Sequence, residues 1–201
     1  MFERDIRNYN EINCSPSPAP DHWHQSCVHS ECTLHQLSPY IGKLKSSIAH
    51  DLIRTYSRPG DLVIDPFAGS GTIPLEAALL GRRVFAADIS PYAKFLTTAK
   101  LNPPSCLEEA IEKAETILTM AMSQPTSDNE NIPGWVRRFF HPQTLEEAVK
   151  FASIGRTLGN EFYMACFLGI LHHERPGFLS FPSSHLVPYL RDKKYPPLDL
   201  Q

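Results

Sequence analysis

The sequence predicts an α/β fold, because two short apolar runs flank a glycine-rich loop and a helical segment. The runs at residues 62–64 and 84–87 are built from Leu, Val, Ile, Phe and Ala, and their length suits buried strands. Each run is followed at once by an aspartate, Asp65 or Asp88, and residues 73–80 between them have a helical pattern. A strand, a crossover helix and a second strand in this order predict a parallel pair.

The other predicted elements are helices. Hydrophobic periodicity predicts helices over residues 43–57 and 107–122. A short helix is also predicted over residues 91–101, before two prolines, and another over the strongly apolar residues 160–172. Thr144, followed three residues later by Glu147, forms a capping box and predicts a further helix that runs towards Ile154.

These elements divide the chain into three parts. Residues 1–33 are predicted to be a flexible arm, residues 34–105 an α/β portion, and residues 106–201 a helical insertion that ends in a proline-rich segment. The arm contains several Cys and His residues, but they lack the paired C-x-x-C spacing that is typical of structural zinc sites. No metal site is therefore predicted.

Composition narrows the classes of function. At 201 residues the chain is predicted to form one domain, and its formal net charge of −3 gives no overall basic surface for nucleic acid. No apolar run approaches the roughly 18 residues of a membrane span, and no secretory leader is evident. A cytoplasmic protein without membrane contact is expected, with its five irregularly spaced cysteines as reduced thiols.

The loop at residues 65–72 carries the clearest functional signal, with the sequence Asp-Pro-Phe-Ala-Gly-Ser-Gly-Thr. Its two glycines allow the backbone to approach a ligand closely, and Asp88 after the second strand can accept hydrogen bonds from ribose hydroxyls. The loop is not the dinucleotide fingerprint, which needs three glycines spaced G-x-G-x-x-G. The pattern indicates a nucleotide-type site, and a plain strand-to-helix turn beside an exposed acid is the alternative.

Three segments carry a resemblance to a known family. Residues 65–72 resemble the loop that binds S-adenosyl-L-methionine (AdoMet) in methyltransferases of DNA amino groups. Tyr40 and Lys43 match the Tyr-x-x-Lys pattern of the segment that precedes this loop, and residues 88–93 match the turn Asp-Ile-Ser-Pro-x-Ala. Residues 33–101 are thus similar to the N4-cytosine/N6-adenine DNA methyltransferases.

The resemblance implies a Rossmann-like AdoMet-dependent methyltransferase fold, with AdoMet as cofactor and DNA as partner. If the resemblance holds, Asp65 of this chain would accept hydrogen bonds from the methionyl ammonium of AdoMet, and Asp88 would bind its ribose. Phe67 would lie near the edge of the ligand, and the backbone of Ile89 would frame the adenine. The implied cofactor-binding residues are Tyr40, Lys43, Asp65, Pro66, Phe67, Ala68, Gly69, Ser70, Gly71, Thr72, Asp88, Ile89 and Ser90.

The catalytic residues remain unassigned. Family members use a tetrapeptide, Asp/Asn/Ser-Pro-Pro-Tyr/Phe, to bind the target amine and stack on the flipped base. The sequence at residues 102–105, Asn-Pro-Pro-Ser, lacks the aromatic residue and is interpreted as a helix stop. A complete sheet of the family has seven strands, whereas two are evident. The fold is therefore predicted to be incomplete and truncated before the catalytic motif, with a second polypeptide as the candidate carrier of that motif.

The predicted function is AdoMet-dependent methylation of adenine N6 or cytosine N4 in DNA, as in restriction-modification systems. One alternative is an RNA guanine-N2 methyltransferase, whose loop can have the same sequence pattern. The proline at position 91, in the Asp-Ile-Ser-Pro turn, favours the DNA group. The other alternative is a non-catalytic remnant or partner subunit that binds AdoMet without turnover. The target base, the recognition sequence and the oligomeric state are not determined by these patterns.

Overall fold

The computed structural model describes residues 18–25, 30–125 and 131–171. Most of the predicted arm and all of the proline-rich segment from residue 172 onwards lie outside the described residues. Within the described ranges, the helices and strands are α1 Ser46–Tyr56, β1 Leu62–Asp65, α2 Thr72–Leu79, β2 Arg83–Ala86, α3 Pro91–Leu101, α4 Leu107–Met122, α5 Gly134–Arg137, α6 Pro142–Thr157 and α7 Glu161–Leu171. Short 3-10 turns lie at Asp21–Trp23 and Thr33–Gln36.

The two strands form the predicted parallel pair, with α2 as the crossover between them. Ile64 lies beside Phe85 in the register, so the two side chains share one face of the sheet. Their exposed fractions are 61% and 58%. The strand–helix–strand part of the α/β prediction is therefore confirmed, within a structure that is mostly helical over its described ranges. One face of this small sheet is apolar and open.

Most predicted helices agree with the structure, and α3 and α4 have the predicted bounds. The start of α6 differs from the prediction. The helix begins at Pro142, and the Nδ1 atom of His141 accepts a hydrogen bond from the backbone amide of Gln143 at 3.3 Å. Thr144 lies inside the first turn and is fully buried. The capping-box prediction for Thr144 and Glu147 was therefore wrong, because the helix begins two residues before Thr144 and its N-cap position belongs to His141.

The helices after residue 105 pack on one another and on the α/β unit. Phe140 and Leu145 form an apolar core with Phe167 of α7, and α4 packs against α6. Ala165 of α7 also contacts Leu96 on α3. This contact places α7 directly against the helix that follows β2, so the two parts share an apolar interface. None of the helices in the described ranges is long and apolar enough to cross a membrane.

Candidate functional site

The loop between β1 and α2 makes a tight turn that depends on glycine. Gly69 and Gly71 have φ angles of +51° and +77°, in the left-handed region that disfavours other residues. The backbone amide of Gly71 donates to the carbonyl oxygen of Ala68 at 2.7 Å, and α2 begins at the next residue, Thr72. The turn thus ends at a helix N-terminus, where the unpaired amides and the helix dipole favour polar and negatively charged ligand groups.

Asp88 joins this loop to the end of β2. Its Oδ2 atom accepts a hydrogen bond from the backbone amide of Gly69, and its Oδ1 atom accepts one from the amide of Ser90, both at 2.8 Å. The bonds from Ser90 and Gly69 lower the pKa of the Asp88 carboxyl, which is therefore ionised at neutral pH. A carboxylate has about four acceptor positions. The backbone of Ile89 also bonds to this carboxylate, so at least one position remains available here to bind a hydroxyl group of a ligand.

The other predicted residues of the loop divide into buried and exposed groups. Asp65 is buried at the end of β1, and its Oδ1 atom accepts a hydrogen bond from the amide of Phe67 at 3.1 Å. The side chain of Phe67 is 86% exposed, and Ile89 after the second strand is fully exposed. Large apolar side chains exposed to this extent near a polar loop are available to contact a ligand or a partner.

Tyr40 lies over the loop, as its ring is close to Gly69. A Cβ atom added at Gly69 would lie 3.5 Å from Cε1 of Tyr40. The ring also stacks on Tyr92, with 6.1 Å between the ring centroids. The hydroxyl of Tyr92 donates to the carbonyl oxygen of Pro39 at 3.1 Å and accepts from the hydroxyl of Ser38 at 2.8 Å. Tyr92 therefore holds the segment that carries Tyr40 against the start of α3.

Lys43, the second residue of the Tyr-x-x-Lys pattern, contacts a different part of the protein. Its Nζ atom donates to the carbonyl oxygen of His35 at 3.0 Å and lies 3.8 Å from the carboxylate of Glu31. These contacts stabilise the turn at Thr33–Gln36 that precedes Tyr40. Of the two residues, the structure brings Tyr40 to the loop and places Lys43 in the support of its segment.

A cleft of about 400 Å³ opens beside Asp88, between the carboxyl end of β2 and α3. Ala68, Asp88, Thr97 and Asn102 are among the residues that line it. Its volume is within the usual range for sites that bind small molecules. The carboxylate predicted to bind ribose thus faces a cavity large enough for part of a nucleoside.

The Asn-Pro-Pro-Ser segment at residues 102–105 ends α3, as the helix-stop interpretation predicts. Asn102 is the residue that follows the last turn, and its side-chain amide donates to the carbonyl oxygen of Thr98 at 2.8 Å. Ser105 binds the carboxylate of Glu109 through its amide and its hydroxyl. These polar groups are therefore engaged in local bonds at the boundary between α3 and α4.

Sequence reasoning missed two buried charged residues behind the loop. Lys100 of α3 is 1% exposed, and its Nζ atom donates to the carbonyl oxygen of Ser70 at 2.7 Å. Burial, assisted by the charge of Lys43, lowers the pKa of Lys100 to about 8, and Glu31 opposes this shift. A lysine at helical spacing from the buried Leu96 could have drawn attention to this position.

Glu76 of α2 is the second of these residues. One carboxylate oxygen is 2.7 Å from Nε2 of His35, and the other is 3.0 Å from Nδ1 of His50. Burial by itself would raise the pKa of Glu76, but the hydrogen bonds from both histidines outweigh it and lower this pKa. Because an ionised carboxylate only accepts, both imidazole nitrogens donate. Glu76 thereby ties the turn at Thr33–Gln36 and α1 to the helix that follows the loop.

The Cys and His residues of the predicted arm lie partly outside the described residues. Within the described ranges, His22 pairs with Asp51, and His35 binds Glu76. Trp23 also donates to Asp51, at 2.7 Å. No group of three His, Cys, Asp or Glu residues suited to a metal ion is found in the part of the chain that the structure describes.

Residues 4–99 match the model of a protein family, the N6/N4 methyltransferases, which is described as DNA methylase. A Type II methyltransferase from Methanocaldococcus jannaschii is 27% identical over 99 residues, which are 49% of this chain and 18% of that protein. The chain thus spans less than a fifth of the curated relative that it matches. No solved structure matches. The resemblance to DNA methyltransferases that the sequence predicts is confirmed by the family match.

Proposed function

We propose that this chain supplies the AdoMet-binding part of a Rossmann-like DNA methyltransferase that acts on an exocyclic amino group, adenine N6 or cytosine N4. The observation that carries the proposal is the bond between Asp88 and the amide of Gly69. It joins the acid after the second strand to the glycine-rich loop after the first, and these are the two features that a nucleoside cofactor requires. The DNA methylase match over residues 4–99 supports the same cofactor.

The residues present fit AdoMet. Asp88 would accept hydrogen bonds from the ribose hydroxyls, and the adjacent cleft between β2 and α3 could receive part of the nucleoside. Asp65 and the loop amides would bind the methionyl end under Tyr40, while Phe67 and Ile89 would cover the apolar edges. Bound AdoMet supplies an electrophilic methyl group on a sulfonium. The chain's own contribution is to bind and orient this cofactor.

The DNA-binding and catalytic parts are proposed to lie elsewhere, in a second polypeptide or in a longer form of this protein. Leu62 and Ile64 of β1 and Phe85 of β2 are exposed on one face of the sheet. Parallel sheets are normally covered on both faces. The open face therefore supports a further layer that packs on this side of the sheet. The Type II name of the matched relative suggests a restriction-modification role, and a cytoplasmic location would follow.

The alternatives differ in how well they are supported. The match to a DNA methylase family favours the DNA enzyme over an RNA guanine-N2 methyltransferase. The second alternative, a partner subunit that binds AdoMet but lacks turnover, rests on Ser105, which stands where the family's tetrapeptide has an aromatic residue. It predicts AdoMet affinity in this chain and methyl transfer only when a second chain is added.

Titration of AdoMet into the purified chain by calorimetry tests the proposal. Because hydrogen bonds to a charged group contribute about 1.5–3 kcal/mol, Asp88→Ala is expected to weaken binding by roughly 10–100-fold. The matched control is Asp61→Ala, since Asp61 is an exposed aspartate before β1 and its carboxylate accepts only a local bond from the amide of Arg58 among the bonds described. We expect its affinity to equal that of the wild type.

Two results would contradict the proposal. One is a folded wild-type chain that shows no heat of binding with AdoMet, where circular dichroism establishes the fold. The other is an equal affinity in Asp88→Ala and Asp61→Ala, which would place the ligand away from the end of β2.

A further inference from the structure

Lys100 is a buried lysine directly behind the glycine-rich loop. Lysine is almost never fully buried without a partner, since removing its charge from water is costly. Here the side chain crosses from α3 to the loop and donates to the carbonyl oxygen of Ser70 at 2.7 Å. The structure therefore places a desolvated ammonium on a single backbone carbonyl of the candidate cofactor site.

The carbonyl that Lys100 binds belongs to the peptide between Ser70 and Gly71. The amide of the same peptide donates to Ala68 at 2.7 Å, and Gly71 then takes its left-handed conformation before α2. Both polar ends of this peptide are thus fixed, one by Lys100 and one by the turn. Its orientation sets the direction in which the chain enters α2.

A second residue of α3 supports the same peptide. A Cβ atom placed on Gly71 would lie 2.8 Å from Oγ1 and 3.1 Å from Cα of Thr97. Thr97 precedes Lys100 by about one helical turn, so both lie on the side of α3 that faces the loop. The backbone of α3 therefore limits the position of Gly71, while the Lys100 ammonium fixes the neighbouring carbonyl.

We infer that Lys100 is a positioning residue that holds the Ser70–Gly71 peptide in the orientation needed for cofactor binding. The functional half of this inference rests on the proposed AdoMet site. Its structural half concerns only the bond between the Lys100 ammonium and the Ser70 carbonyl, and it can be tested without a cofactor.

The groups around Lys100 and on the neighbouring helices determine the pH range in which Lys100 loses its charge. Burial, assisted by the nearby charge of Lys43, lowers the pKa of Lys100 to about 8, and the carboxylate of Glu31 opposes this shift. On α2, Glu76 is engaged by His35 and His50. On α7, burial raises the pKa of the Cys166 thiol, which is therefore neutral near pH 8. Lys100 is thus expected to change its charge in mild alkali, and a charge-assisted bond to a carbonyl weakens when that charge is lost.

Nuclear magnetic resonance of the full chain tests the structural half. We expect the Ser70 carbonyl carbon and the Gly71 amide nitrogen to shift together as pH rises, with a midpoint near 8. Lys100→Met, which keeps the length of the side chain but removes the ammonium, should abolish this transition. Lys113→Met on the exposed side of α4 is the matched control and should retain it. A transition that is absent from the wild type, or that persists in Lys100→Met, would overturn the inference.

Calorimetry with AdoMet at pH 7 tests the functional half. We expect Lys100→Met to bind about tenfold more weakly than the wild type, with no change in Lys113→Met. Equal affinity of Lys100→Met and the wild type would overturn the positioning role. A folded wild type that binds no AdoMet would instead refute the proposed function, and the resonance titration would still decide whether Lys100 fixes the loop.

Discussion

Gly71→Ala is expected to abolish measurable AdoMet binding and to lower the free energy of unfolding by about 3 kcal/mol. A side chain at φ +77° costs about 1–2 kcal/mol in backbone strain. The new methyl group would also lie 3.1 Å from the Thr97 backbone at Cα and 2.8 Å from its hydroxyl, and such overpacking costs about 1–3 kcal/mol. Denaturant unfolding and calorimetry measure the two effects.

Gly81→Ala is the matched control for this prediction. Gly81 has nearly the same φ angle, +76°, but its added Cβ atom would meet nothing closer than a Pro59 carbon at 3.8 Å. It should therefore show the backbone strain without the clash and leave binding unchanged. Equal losses of stability in Gly71→Ala and Gly81→Ala would show that the contact with Thr97 does not matter.

A double variant separates the clash from the strain. The hydroxyl of Thr97 has no hydrogen-bond partner among the described residues, so Thr97→Ala alone should lose only the packing of the buried γ-methyl group, about 1 kcal/mol. Combined with Gly71→Ala, it removes the closest contact and should restore part of the lost stability. Additive losses in the double variant would contradict the packing explanation.

Glu76→Gln is expected to lower the free energy of unfolding by about 3 kcal/mol at pH 7. The substitution keeps the shape of the side chain but removes its charge and replaces one of the two oxygens that accept from His35 and His50 with an amide group that donates. Hydrogen bonds to a charged group contribute about 1.5–3 kcal/mol, and the buried His35 donor that loses its acceptor stays desolvated. The side chains of His35 and Glu76 are both buried, so solvent provides little compensation. Urea unfolding measures the loss.

The direction in which the stability lost in Glu76→Gln changes with pH follows from the lowered pKa of Glu76. The hydrogen bonds from the histidines lower the pKa of Glu76 in the folded state below its ordinary value of 4.5, although burial opposes the shift. The unfolded state therefore binds the proton first as pH falls. The stability that Glu76 contributes is present in full above pH 4.5 and is lost as pH falls through the lowered pKa, so wild type and Glu76→Gln should converge in acid.

Glu112→Gln provides the comparison for Glu76→Gln. Glu112 is an exposed glutamate on α4, so the same chemical change there should alter stability by less than about 0.5 kcal/mol. If the two variants lost the same stability at every pH, the network around Glu76 would not contribute to the fold.

Local patterns in the sequence were enough to predict the strand–loop–helix–strand unit. The two glycines in residues 65–72 and the acid after each strand indicate a tight loop between two strands. This prediction needs only neighbouring residues, since backbone geometry and strand order are local properties. The same reasoning located α3, whose end at Asn102 follows from the two prolines after it. The resemblance to DNA methyltransferases rests on these short segments and was confirmed by the match over residues 4–99.

The failures of sequence reasoning involve residues whose partners lie far along the chain. Thr144 has the local signature of a cap, but packing buries it in the core and His141 takes the capping position. Lys100 binds a carbonyl 30 residues before it, and Glu76 binds a histidine 41 residues before it. In the sequence both look like ordinary charged positions on helices.

The sequence by itself determined the parallel strand pair, the glycine-rich loop and the acid that faces it, because these depend on backbone conformation over a few residues. Only the tertiary structure decided which charges support the loop. Docking α3 behind it brings Lys100 to the Ser70 carbonyl, and docking α1 beside α2 brings His50 to Glu76. Helix docking is governed by apolar packing across the whole chain, and the charges that it buries must then find whatever partners that packing provides.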